Sequence, residues 1–121
     1  TTVAVLGCGV DVGYPRRNAA LAARIAESGL VVSEYWPGTP PAPWRFPARN
    51  RIVAGVSEAV CVVEAGRRSG ALITADFALE AGRPVLAVPG WPAAVASEGA
   101  NALLRAGAAL LESAGDVVAE R

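Results

Sequence analysis

The sequence predicts an α/β domain built on a parallel sheet with helices on both faces. Short apolar runs alternate with helical patterns along the whole chain. The runs are continuous rather than alternating, as in strands covered on both sides. The returns between a helix and the next strand are short, which fits right-handed crossovers between parallel strands. With 121 residues, 53% hydrophobic and 18% charged, the chain is long enough for one domain with a buried core.

The first strand is expected over residues 2–6, followed by Gly7-Cys-Gly-Val-Asp-Val-Gly13. A helix follows over 18–28, with Leu21 and Ile25 on one face and Gly29 placed to end it. The second strand is expected over 30–33. The run Pro37-Gly-Thr-Pro-Pro-Ala-Pro43 then forbids regular structure. A helix over 47–57 leads to a strand over 59–63, and a helix over 71–81 is closed by Gly82 and Pro84. The remaining elements are a strand over 85–88, a helix over 98–106, a strand over 108–111 and a helix over 114–120. The long connections after the first two strands, like those after Val63 and Val88, emerge at the carboxyl edge of the sheet, where open α/β sheets bind ligands.

Composition narrows the function classes. Eleven arginines balance eleven acids, and neither lysine nor histidine occurs. A generally basic nucleic-acid binder is therefore excluded, so such a role must rest on a local patch. Without histidine there is no Ser–His or Cys–His pair, and a metal site lacks its commonest ligand. No metal, cofactor or catalytic residue is expected. Asp11, Glu34 and Glu64 are the candidate general bases, and no pair of them has a spacing that commits to a mechanism. Cys8 and Cys61 lie in or beside apolar strand patterns and are expected as small buried thiols in a reducing cytoplasm. No apolar run reaches the roughly 18 residues that span a bilayer. The chain has no methionine and opens inside a strand-like run. It is expected to be a single-domain fragment over 1–121 with its upstream half missing.

Arginine suits bidentate recognition of phosphate and carboxylate, so arginine next to peptide-rich turns marks candidate anion sites. In the first glycine loop the third glycine falls one position late for a dinucleotide fingerprint, and Tyr14-Pro15 delays the helix. The loop reads as a packing turn whose amides, at Gly7 and Gly9, can still line an anion pocket. Arg16, Arg17 and Asn18 close it, either as a rim to that pocket or as a solvated charge run. On the helix over 47–57, at about 100° per residue, Arg49 shares a side with Ile52, Val53 and Val56 while Arg51 points away. Arg49 is thus expected to reach the cleft, the alternative being an ion pair with Glu34 or Glu64; Asn50 lies between the arginines. Ser69 and Gly70 stand before a helix, where Ser69 caps free amides and a phosphate could be received, with Thr74 one turn on. Trp91 could stack a base or cover the core.

These residues carry a family resemblance. Val5-Leu-Gly-Cys-Gly-Val-Asp-Val-Gly-Tyr-Pro15, Ser33-Glu34, Phe46-Pro-x-Arg-Asn-Arg-Ile-Val-Ala-Gly-Val-Ser57, Val63-Glu-Ala65, Ser69-Gly-Ala-Leu-Ile-Thr-Ala75, Val88-Pro-Gly90 and Ser97-x-Gly-x-Asn101 together resemble the DprA/Smf DNA-processing family, in order and over nearly the whole chain. The resemblance implies an extended Rossmann-like domain, of which this chain would hold the C-terminal half. It also implies a cytoplasmic homodimer that binds single-stranded DNA and hands it to the recombinase RecA in natural transformation, without chemistry of its own. The family's Gly-Ser-Arg loop and Ser-Gly-x-Ala-x-Gly-Ile-Asp segment, which bear much of its DNA contact, are not in this sequence. Two other functions fit parts of the pattern. One is a nucleoside-monophosphate phosphoribohydrolase of the "Lonely guy" type, whose Arg-Lys-x-x-Met helix aligns with Arg49-Asn50-x-x-Val53. The other is a dimerising assembly module using Arg51 and the last helix.

Overall fold

The computed structural model describes residues 1–120. Its elements run in the expected order: β1 (Val3–Val5), α1 (Ala19–Ser28), β2 (Leu30–Val32), α2 (Arg45–Val56), β3 (Val60–Val62), α3 (Gly70–Glu80), β4 (Val85–Ala87), α4 (Glu98–Arg105), β5 (Ala109–Leu110) and α5 (Ala114–Ala119). Short 3-10 turns at Arg16–Asn18 and Val95–Ser97 lead into α1 and α4. Contacts gather into two compact units, Thr1–Arg49 and Asn50–Arg121.

In the first unit β1 and β2 pair in parallel, with Val3 opposite Leu30 and Val5 opposite Val32. Gly29 ends α1 as expected, for a reason of space. Its φ is negative, at −148°, but a Cβ there would lie 2.0 Å from the carbonyl oxygen of Thr2. The same oxygen accepts the Leu30 amide at 3.0 Å and starts the pairing. α2 begins at Arg45, two residues before the expected start. Pro47 then falls in the first helical turn, where a missing N–H costs nothing.

In the second unit β3, β4 and β5 are parallel and lie in that order. The core is made largely of alanine: Ala54, Ala65, Ala75, Ala78, Ala87 and Ala100, with Val62 and Val85, are buried. Small side chains let helix and strand backbones approach closely, and Leu72, Phe77, Leu103 and Leu104 pack around them. Gly82, at φ +66°, closes α3, a conformation that favours glycine.

Two expectations need correction. Only β4, the middle strand of its sheet, is buried at every residue. β1, β2, β3 and β5 each keep at least one exposed residue, because among the described residues each is hydrogen-bonded on one side only. Cys8 is buried as expected, but Cys61 is exposed. It faces outward between Val60 and buried Val62, following the two-residue period of an edge strand. Among the described residues, no helix is long and apolar enough to cross a membrane.

Candidate nucleic-acid interface

In the first unit the parallel strands send both of their following loops out at the same edge, and these loops are laced together. Ser33 Oγ donates to the Cys8 carbonyl at 2.6 Å and accepts the Tyr35 amide at 3.1 Å. The Gly9 amide donates to the Thr39 carbonyl at 2.9 Å. The Gly38 amide donates to Asp11 Oδ1 at 2.7 Å. Asp11, a candidate general base by its residue type, thus anchors the proline-rich loop. Burial, and then the charge of Asp11, push the Cys8 thiol above its ordinary pKa.

Gly7 and Gly9 are buried because other chain segments press on them. A Cβ at Gly9 would meet the Trp36 carbonyl oxygen at 2.8 Å, and one at Gly7 would meet the Phe46 ring at 3.0 Å. The Gly9 amide is spent on Thr39, so these glycines shape the loop edge by close packing. Arg16, Arg17 and Asn18 are exposed in the turn before α1. The Tyr14 ring lies 5.8 Å from that of Phe46, which ties this turn to the start of α2.

On α2, Arg49, Ile52 and Val53 are half-buried and Arg51 is exposed, as the helical phase read from the sequence expects, whereas Val56, expected on the Arg49 side, is exposed near the helix end. An Arg49 guanidinium nitrogen donates to the carbonyl of Val5, the last residue of β1, and its carbon lies 5.9 Å from the Phe46 ring centre. Asn50 is half-buried.

In the second unit Ser69 caps α3 as expected. Its Oγ accepts the Ala71 amide at 3.3 Å, and its own amide donates to Gly66 at 3.1 Å. Gly70 is exposed at the helix start, Thr74 half-buried one turn in, and Arg68 exposed beside them. Arg67, with 82% of its side chain exposed, lies 3.3 Å from Glu98, a pairing that adds little stability at a wet surface. Arg67, Glu98 and Arg105 line a hollow of about 310 Å³ with Gly90, Pro92 and Asn101. The amides of Gly99 and Ala100 donate to the Ala65 carbonyl at 2.8 and 3.2 Å, fastening α4 to the loop after β3.

Of the residues singled out from sequence, Gly7, Gly9, Arg16, Arg17, Asn18 and Arg49 belong to the first unit. Asn50, Ser69, Gly70 and Thr74 belong to the second. The sequence placed Asn101 only in a family motif and did not show that it holds the loop at Gly90. Sequence reasoning missed the aromatic pair Tyr35 and Trp44, packed edge to face at 6.4 Å. The available signal was tryptophan on either side of a proline run.

The family model for DNA recombination-mediator protein A matches residues 1–121. Over 119 residues the chain is 49% identical to DNA processing protein DprA of Streptococcus pneumoniae, covering 98% of this chain and 42% of that protein. It is 52% identical over 117 residues to putative DNA processing protein DprA of Mycobacterium tuberculosis, covering 97% and 30%. The chain therefore spans under half the length of these curated relatives. The X-ray structure of the S. pneumoniae DprA superposes with a TM-score of 0.86 at 46% identity, over 99% of this chain and 42% of that one. A Helicobacter pylori DprA structure, solved for its single-stranded DNA binding mode, gives 0.86 at 30% identity over 98% and 54%.

Proposed function

The chain belongs to the DNA recombination-mediator protein A family, and from that premise we propose that it is part of a protein that binds single-stranded DNA without regard to sequence. One observation carries the reading. In each unit an exposed arginine pair, Arg16–Arg17 and Arg67–Arg68, stands in a connection that leaves the carboxyl end of a parallel strand and enters a helix. Guanidinium forks and helix-entry amides are the groups that hold phosphate. The overall charge balance of zero makes such local pairs the basis of attraction. Ser69, Gly70 and Thr74 provide the helix-entry contacts, and Arg49 and Asn50 the contacts from α2. Gly7 and Gly9 hold the first loop close to its neighbour.

The reading extends to the whole protein. It would act as a homodimer in the cytoplasm, shield incoming single strands and pass them to the RecA recombinase in natural transformation, with no cofactor and no reaction of its own. The family resemblance supports this extension. The test is a titration of the full-length protein with a labelled single strand at rising salt. Affinity should fall linearly on a log–log plot, with a slope near −0.7 per phosphate held. A flat response would overturn the reading. Incubation with AMP, with no adenine released, separates it from a phosphoribohydrolase. Sedimentation with and without the strand tests the dimer, and co-precipitation with RecA tests the hand-over.

A further inference from the structure

Two tryptophans in the loop after β2 are left open to solvent. Trp36 is 85% exposed and Trp44 62% exposed. Burial of an indole is a large favourable term, so two open indoles on one loop offer a candidate contact surface.

The loop that bears them is firmly held. Its backbone is tied to the first loop through Gly38–Asp11 and Gly9–Thr39. Trp44 packs edge-on against Tyr35. The Arg45 guanidinium carbon lies 5.0 Å from the Tyr35 ring centre and 4.9 Å from that of Trp44, and an Arg45 terminal nitrogen donates to the Pro40 carbonyl. Arg45 Nε is buried without a hydrogen-bond partner, so the guanidinium is placed by its aromatic neighbours more than by polar ties. The result is a pair of flat faces, Tyr35 and Trp44, held beside the Arg45 cation, with exposed Trp36 on the same tethered loop. Phe46, which follows Arg45 in the chain, packs on Tyr14, two residues before the turn with exposed Arg16 and Arg17.

We propose that Trp36 and Trp44 form a base-stacking platform for single-stranded nucleic acid, with the strand's phosphates directed toward Arg45 and the Arg16–Arg17 turn. The inference rests on the DNA-binding reading above and adds the residues that hold bases. Aromatic faces interleaved with guanidinium groups are the combination that suits a strand with π-faces on one side and phosphates on the other. A proline-rich peptide or a second copy of the chain would use the aromatic faces but not the cations beside them. Stacking of this kind is tolerant of sequence, because every base has a π-face.

The test uses the full-length protein with Trp36→Leu and Trp44→Leu, both at exposed positions, and the matching phenylalanine variants. Each is titrated with a thymidine homopolymer and with an abasic strand of equal length. Each leucine variant should bind the thymidine strand about 5- to 100-fold more weakly, the range of one lost stacking contact. Binding to the abasic strand should stay within about twofold of wild type, because phosphate contacts dominate there. Phenylalanine should restore most of the loss. If the wild type prefers the thymidine strand and the leucine variants keep that preference, the platform is refuted while DNA binding stands. Equal losses on both strands, a changed oligomeric state, or gained or lost polyproline binding without a change in strand affinity would also refute it. A wild type that binds neither strand would refute the DNA-binding reading itself.

Discussion

Asn101 closes a two-point clasp on Gly90. Its Oδ1 accepts the Gly90 amide at 3.0 Å while its Nδ2 donates to the Gly90 carbonyl at 3.1 Å. One side chain thus satisfies both peptide groups of the glycine that follows β4, and it fixes the loop that carries Trp91. Asn101→Asp keeps the shape but removes the donor and sets a carboxylate against a carbonyl. It should cost about 1–3 kcal/mol, read as a lower urea midpoint with unchanged slope, whereas Asn101→Gln should lose both contacts through poor reach.

Arg49→Ala should weaken binding of a single-stranded oligonucleotide to the full-length protein at least about fivefold, and Arg51→Ala less than about twofold. The difference follows from their placement: Arg49 is half-buried and joined to the end of β1, while Arg51 faces out. Equal losses in a filter-binding or anisotropy titration would contradict it. A thermal melt of Arg49→Ala separates the loss of the Val5 tie from the loss of strand contact.

Gly29→Ala should destabilise the protein by about 2–3 kcal/mol, because the new Cβ meets a backbone oxygen of Thr2 that cannot move without breaking the first strand pair. Gly55→Ala, where a Cβ meets nothing inside α2, should be neutral or stabilising by up to about 1 kcal/mol. Chemical denaturation of the two variants side by side checks the contrast.

The two thiols should part in reactivity. Cys61 is exposed, whereas Cys8 is buried and its pKa is raised above the ordinary 9.0 by burial and by Asp11. At neutral pH iodoacetamide should modify native Cys61 and leave Cys8 intact, as peptide mass mapping can read. Because the fold favours the neutral thiol, its contribution is complete below pH 9.0 and is lost as pH rises through the raised value. Cys8→Ala should flatten that alkaline decline.

Asp11→Ala should free the Gly38 amide and loosen the proline-rich loop, since it removes a charge-assisted hydrogen bond of 2.7 Å. The expected loss is about 1.5–3 kcal/mol. Faster amide exchange should be confined to residues near Gly38 and Thr39. Asp11→Asn, which retains an acceptor, should recover part of the protection.

The elements were legible because their causes are local. Continuous valine-rich runs, Ser69 as a cap and Gly82 before Pro84 each act within a few residues. The helical phase that set Arg49 apart from Arg51 is likewise local, and it agrees with their burial. What the sequence hid depends on distant partners. The Gly7 and Gly9 positions gain their meaning from Phe46 and Trp36, about thirty to forty residues on, and Asn101 from Gly90 on another element. The exposure of Cys61 follows from its strand lying at a sheet edge, which a run of apolar letters does not declare. Pro47 hid the true start of α2, since proline reads as a helix boundary yet is accepted in a first turn.

The lacing of the two loops in the first unit has a meaning for inheritance and for engineering. Ser33 with Cys8, Thr39 with Gly9 and Gly38 with Asp11 make the two segments one cassette. A graft of the tryptophan-bearing stretch onto a related scaffold would have to bring the glycine turn with it. An insertion in either segment would misregister the other.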